Sequence, residues 1–95
     1  QGGKLLFGGT KYTEIKSNGF YVVPAIVEID LNSEICQHEI FAPILYIGKI
    51  KSFEEGVKLN NSVPQGLSSS LFTERMDLVQ KWMSPSGSDC GLVNV

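Results

Sequence analysis

The 95-residue sequence is short of most of the residues that chemistry relies on. It holds one histidine, His38, one arginine, Arg75, and two cysteines, Cys36 and Cys90. The cysteines have no CxxC spacing, and with a single histidine they argue against a metal cage. The simplest reading is two reduced, half-buried thiols of an intracellular protein rather than a disulfide. Cys36 and His38 are the one pair that suggests nucleophilic chemistry. Activation needs a thiolate held by a base or a helix N-terminus, and one cysteine near one histidine is thin support.

Positive charge is sparse as well. Net charge is −2, and the lysines are scattered singly. A nucleic-acid binder needs a basic stripe to replace phosphate counterions, so that class is set aside. Long hydrophobic runs are missing too. The longest uncharged apolar run, residues 40–48, falls well short of the ~20 residues that cross a bilayer. No positively charged start leads into a hydrophobic stretch, so no signal peptide is visible. Neither GxGxxG nor GxxxxGK[ST] occurs, which leaves the glycine pairs around Leu5 as turn residues. Asn60-Asn61-Ser62 matches the N-glycosylation pattern, but nothing else indicates secretion. It reads as the polar end of a helix.

What is present describes a globular chain. Apolar residues make up 42% and charged residues 19%, which excludes a disordered or membrane-spanning composition. The length suits one small domain, burying about two-thirds of its unfolded surface. Residues 1–43 read as extended. Lys4 to Phe7 is bracketed by glycine pairs, Asn18-Gly19 is a turn signal, and Phe20 to Val23 and Ala25 to Ile29 are rich in β-formers. Pro24 between them marks an edge or a bulge. One helical turn is expected after Asn32 or Ser33.

From residue 44 the pattern changes. Residues 44–50 suit a strand buried on both faces. Ser52 and Glu55 form a capping box for a helix that carries Phe53 and Val57 on one face and ends near Asn60-Asn61. Residues 66–72 read as a second buried strand. Thr73 is the expected cap of a helix with Met76, Val79 and Met83, flanked by Leu78 and Trp82, as its apolar side. Residues 90–95 read as a third strand. The expected fold is therefore α/β: extended segments over 1–43, then a parallel βαβαβ unit over 44–95 with right-handed crossovers. The chain starts without methionine and stops on an apolar strand, so it reads as a piece of a larger protein.

One segment stands out as a candidate site. Glu39 and Phe41 lie two positions apart, just before Pro43 and the apolar run. In an extended segment they point to one side, so a carboxylate and a ring can face one ligand. The alternative is a solvated carboxylate and a core aromatic.

Five collinear segments resemble the aldehyde dehydrogenase superfamily. Residues 3–9 (GKLLFGG) look like its GAKLLxGG stretch, and residues 19–27 (GFYVVPAIV) like GYFxxPTV. Residues 39–43 (EIFAP) match E-x-F-G-P. Asn60-Asn61 with residues 66–73 looks like ANxxxYGLxxxxFT, and residues 90–95 (CGLVNV) look like AGxVxVN. Within the superfamily the likeness is strongest to the antiquitin group of α-aminoadipic semialdehyde dehydrogenases, through residues 41–46, 65–70 and 87–91; Ala42 stands where most members have glycine. The resemblance implies a segment of a catalytic domain, in a homotetramer that uses NAD to oxidise an aldehyde to an acid. It implies an enzyme of lysine catabolism, in the cytosol or the mitochondrion.

By the same resemblance Glu39 takes the hydroxyls of the nicotinamide ribose and Phe41 packs beside the nicotinamide ring. A carboxylate can accept both sugar O–H groups at once. The nucleophilic cysteine, the general base and most of the cofactor-binding domain would lie outside these residues, and Cys36 and Cys90 align with small residues. No catalytic residue is expected here. The competing reading is a non-catalytic fragment or interaction module without activity of its own.

Overall fold

In the computed structural model, residues 2–14 and 19–95 are described. Five strands and two α-helices follow in the order β1 (Lys4–Phe7), β2 (Ala25–Glu28), β3 (Ile44–Ile47), α1 (Phe53–Asn60), β4 (Ser68–Ser70), α2 (Met76–Trp82) and β5 (Leu92–Asn94). A 3-10 turn over Glu34–Gln37 precedes β3. It starts after Ser33, as expected. The chain divides into two units, Gln1–Lys49 and Ile50–Val95.

In the first unit the sheet order is β1-β2-β3. β1 runs antiparallel to β2, with a bulge between Leu5 and Phe7. Gly8 explains why the chain can turn there. Its φ is +71°, and a Cβ would overlap the carbonyl oxygen of Pro24, so only glycine fits this close approach. Residues 9–12 then lie against 21–23, through Gly9 N–H to Val23 O (3.1 Å), Val23 N–H to Thr10 O (2.8 Å) and Tyr12 N–H to Tyr21 O (2.9 Å). The expected strand over 20–23 is thus reduced to a single bridge, Lys11 to Val22. Asn18 of the expected turn lies outside the described residues.

β3 runs parallel to β2, with Ala25 opposite Ile44 and Glu28 opposite Ile47. Parallel strand pairing, as expected for an α/β chain, is found in both units. The order strand, helix, strand, helix, strand is found, but β3 pairs backward in sequence, while β4 and β5 pair in parallel with each other. A parallel connection needs about a dozen residues, not a helix. Residues 29–43 supply that length with one 3-10 turn. The expected burial of β3 on both faces is not met within its unit: Leu45 is 56% exposed. Among the described residues of that unit no α-helix covers the faces of β3.

The second unit is organised by Trp82, which is 6% exposed and meets Phe53 edge-on, with ring centroids 6.3 Å apart. On α2 Trp82 is buried and Leu78 and Val79 are half-buried, while Met76 and Met83 are exposed. The expected Met76–Val79–Met83 face is therefore rotated. Leu78 and Trp82 lie at i and i+4 on one side of α2, and the Phe53 ring of α1 meets Trp82.

Ser52 caps α1 as expected, its Oγ accepting from Glu55 N–H (3.1 Å). The Glu55 carboxylate reaches one residue farther back than a standard box and accepts from Lys51 N–H (2.6 Å). Thr73 does not cap α2. Its Oγ1 accepts from Arg75 N–H (3.1 Å), which forms a turn before the helix starts at Met76. No helix among the described residues is long and apolar enough to cross a membrane.

Candidate functional site

The candidate residues sit on the connection between the 3-10 turn and β3. At its near end His38 N–H donates to Ile35 O (3.4 Å). At its far end two tight turns follow one another. Ala42 N–H donates to Ile40 O (2.8 Å), and Ile44 N–H donates to Ala42 O (2.8 Å). Each bond spans i to i+2, the signature of a γ-turn, with Phe41 and then Pro43 at the centre. Among the described residues only glycines have positive φ, so both turns are the low-energy inverse form. Pro43 is fixed again from the sheet, its carbonyl accepting from Ala25 N–H (2.9 Å). The backbone is extended at His38 but bends at Phe41, so the extended-strand argument for a shared face reaches only to Ile40.

The side chains contrast with this tethered backbone. Glu39 is exposed and Phe41 is 95% exposed. Among the described residues the Glu39 carboxylate has no hydrogen bond or ion pair, and no ring packs on Phe41. An unengaged acceptor pair and an uncovered ring fit a ligand with hydroxyls and a flat apolar ring. The structure thus places both residues on one short loop. A hollow of about 180 Å³ lies behind the loop, lined by Gly9, Val22, Val23, Ala25, Ala42, Pro43 and Ile44. It backs the turn and holds neither candidate residue.

The other chemistry considered from sequence does not assemble. Cys36 and Cys90 are free and half-buried. Cys36 Sγ lies 3.9 Å from the Asp30 carbonyl oxygen, and no Cys36–His38 hydrogen bond exists among the described residues. No group of three or more His, Cys, Asp or Glu residues is placed to hold a metal among them. A groove of about 440 Å³ between α1 and α2 is lined by Phe53, Glu54, Val57, Lys58, Lys81 and Ser86. It is crossed by an exposed Lys81–Glu54 pair at 3.7 Å. Two carboxyls titrate below their ordinary value. Asp30 is held down by the backbone N–H of Asn32 and then by its side-chain amide, and Asp77 by hydrogen bonding to Arg75. Neither belongs to the loop.

Asn60 and Asn61 do more than end a helix. Asn61 donates to Gly87 O (2.8 Å) and accepts from Asp89 N–H (2.9 Å). Asn60 donates to Asn61 Oδ1 (2.8 Å) and Ser88 Oγ (3.0 Å), and the Ser88 hydroxyl meets Ser69 Oγ at 2.6 Å. The end of α1 is thereby stapled to the segment before β5 and to β4. The available signal was the amide itself, which donates and accepts at once, at a helix end followed by Pro64.

A sequence model of the aldehyde dehydrogenase family matches residues 1–95. Aldehyde dehydrogenase family 7 member A1 of Pisum sativum is 54% identical over the whole of this chain, which covers 18% of that protein. The α-aminoadipic semialdehyde dehydrogenase of Bos taurus is 46% identical over 100% of the chain and 17% of its own length. A crystal structure of PnpE in complex with nicotinamide adenine dinucleotide matches with a TM-score of 0.85 and 34% identity, over 99% of this chain and 19% of that one. The chain therefore spans about a fifth of the length of the relatives it matches.

Proposed function

As the chain belongs to the aldehyde dehydrogenase family, we propose that it is the cofactor-orienting segment of an NAD-dependent enzyme that oxidises an aldehyde to a carboxylic acid. Bound NAD supplies a hydride acceptor, and water supplies the oxygen of the acid. The part of this chain is narrower. Glu39 accepts the two ribose hydroxyls next to the nicotinamide, and Phe41 lies against the ring. Hydride transfer falls steeply with misplacement of the acceptor, so orientation is itself a catalytic contribution.

The carrying observation is the pairing of a tied backbone with free side chains over residues 38–44. The name of the bovine relative makes α-aminoadipic semialdehyde the first aldehyde to test. The likeness to the antiquitin group supports a homotetramer of lysine catabolism, in the cytosol or mitochondrion, as the setting.

The test is Glu39→Gln in the natural-length protein. Gln keeps one acceptor and loses the charge, so NAD binding or the hydride step should weaken about tenfold, with the melting temperature unchanged. A deuterium-labelled aldehyde separates the hydride step from product release. Wild-type NAD affinity together with wild-type kinetics would remove Glu39 from the site.

A further inference from the structure

We infer that Ala42 and Pro43 are positioning residues for Phe41, and so set how the aromatic ring meets the nicotinamide end of the dinucleotide. The inference rests on the proposed role of Phe41 and extends it to residues that do not touch the ligand. Phe41 is 95% exposed, so side-chain packing within this chain does not hold it. Its position is set by the backbone instead. Phe41 is the centre of the first turn, closed by Ala42 N–H on Ile40 O, and Ala42 O at once accepts from Ile44 N–H to close the second. Ala42 uses both its backbone groups and is the link between the turns.

Pro43 occupies the centre of the second turn. Its ring fixes φ near −65°, close to the roughly −75° an inverse γ-turn requires. It also biases Ala42 toward extended backbone. Its carbonyl is pinned to the start of β2 by Ala25 N–H at 2.9 Å. The sheet thus fixes Pro43, Pro43 shapes the second turn, Ala42 links it to the first, and the first turn aims Phe41. Glycine at 42 or alanine at 43 keeps the native conformation accessible but adds competing ones.

The experiment compares NAD with ADP-ribose, which lacks the nicotinamide, as calorimetric probes of the natural-length protein. Pro43→Ala and Ala42→Gly should each weaken NAD by about two- to five-fold, the scale of such backbone effects. ADP-ribose affinity should stay unchanged. Phe41→Ala should weaken NAD selectively too. In the Phe41→Ala background Pro43→Ala and Ala42→Gly should have no further effect, because they act through that ring. Using both substitutions keeps the test open if one of them fails to fold.

Equal weakening of NAD and ADP-ribose would mark general damage to the fold and overturn the inference. So would effects that add in full to those of Phe41→Ala. Either result leaves the contact by Phe41 itself standing. If Phe41→Ala leaves the ratio of NAD to ADP-ribose affinity unchanged, the proposed contact fails and the positioning role falls with it.

Discussion

Two corners of this chain put their side chains to opposite ends. At residues 60–61 and 87–89 the side-chain amides and a hydroxyl are spent on the protein itself: Asn61 spans Gly87 and Asp89, and Asn60 reaches Ser88. At residues 39–43 the backbone is tied by successive hydrogen bonds, while the Glu39 carboxylate and the Phe41 ring are left to solvent. The first corner is a staple. The second ties its main chain and leaves these side chains without partners among the described residues. Exposure alone does not separate the two, because Asn61 is also exposed. What separates them is whether the polar side-chain atoms have partners.

That contrast can be broken most forcefully in the unit that contains the staple. Trp82→Ala removes the ring that Phe53 packs against and should cost about 3–5 kcal/mol, read as a large fall in melting temperature. A loss below about 1 kcal/mol would mean that Trp82 does not organise its unit. Gly87→Ala tests the same region by overpacking. A Cβ there would meet the carbonyl oxygens of Trp82 and Lys81, and about 1–3 kcal/mol should be lost. Next, Asn61→Ala leaves Gly87 O and Asp89 N–H without their partner. A loss of about 1–2 kcal/mol is expected, softened by access to water. Denaturant titration would measure it, and no change would reduce the staple to decoration.

Phe41→Ala, on the other side of the comparison, should move stability by no more than about 0.5 kcal/mol. A loss of several kcal/mol in the natural-length protein would make Phe41 a core residue and dissolve the contrast. The smallest effect concerns pH. Asp30 and Asp77 both titrate below the ordinary aspartate value in the folded chain, Asp30 through hydrogen bonds from Asn32 and Asp77 through its hydrogen bond from Arg75. Their contribution to stability is therefore present above that value and is lost as pH falls through the lower folded value. Both are exposed, so Asp77→Asn should flatten the acid side of a stability–pH curve only slightly. A change near neutral pH would contradict the assignment.

Much of the local structure was legible because local physics controls it. Ser52 and Glu55 announced the start of α1, and the Val63–Pro64 pair bounded its end. The 3-10 turn after Ser33 was legible in the polar connection that carries it. The failures share a cause in non-local competition. Thr73 has cap chemistry, but its hydroxyl is used in a turn and α2 begins later. The apolar face of α2 carries two acceptable ridges, and only the Phe53–Trp82 contact selects one. β3 reads as a buried parallel strand, yet nothing in residues 44–50 shows that its partner is β2.

The candidate site was legible in part. Glu39 and Phe41 could be picked out from residue type, spacing and resemblance. The two γ-turns could not, because an i to i+2 hydrogen bond depends on how Pro43 is held by Ala25, seen only once β2 and β3 have paired.

The sequence by itself determined the order of strands and helices after residue 43, both ends of α1, the turn glycines and the family, all of which follow from neighbours along the chain or from collinear motifs. The tertiary structure alone decided which strands share a sheet, which ridge of α2 is buried, and that Glu39 and Phe41 remain unspent while Asn60 and Asn61 do not. The physical reason is that a polar or aromatic side chain satisfies itself with whatever the fold brings near. Pairing partners distant in sequence are chosen by the joint packing of many segments, and no local pattern encodes that choice.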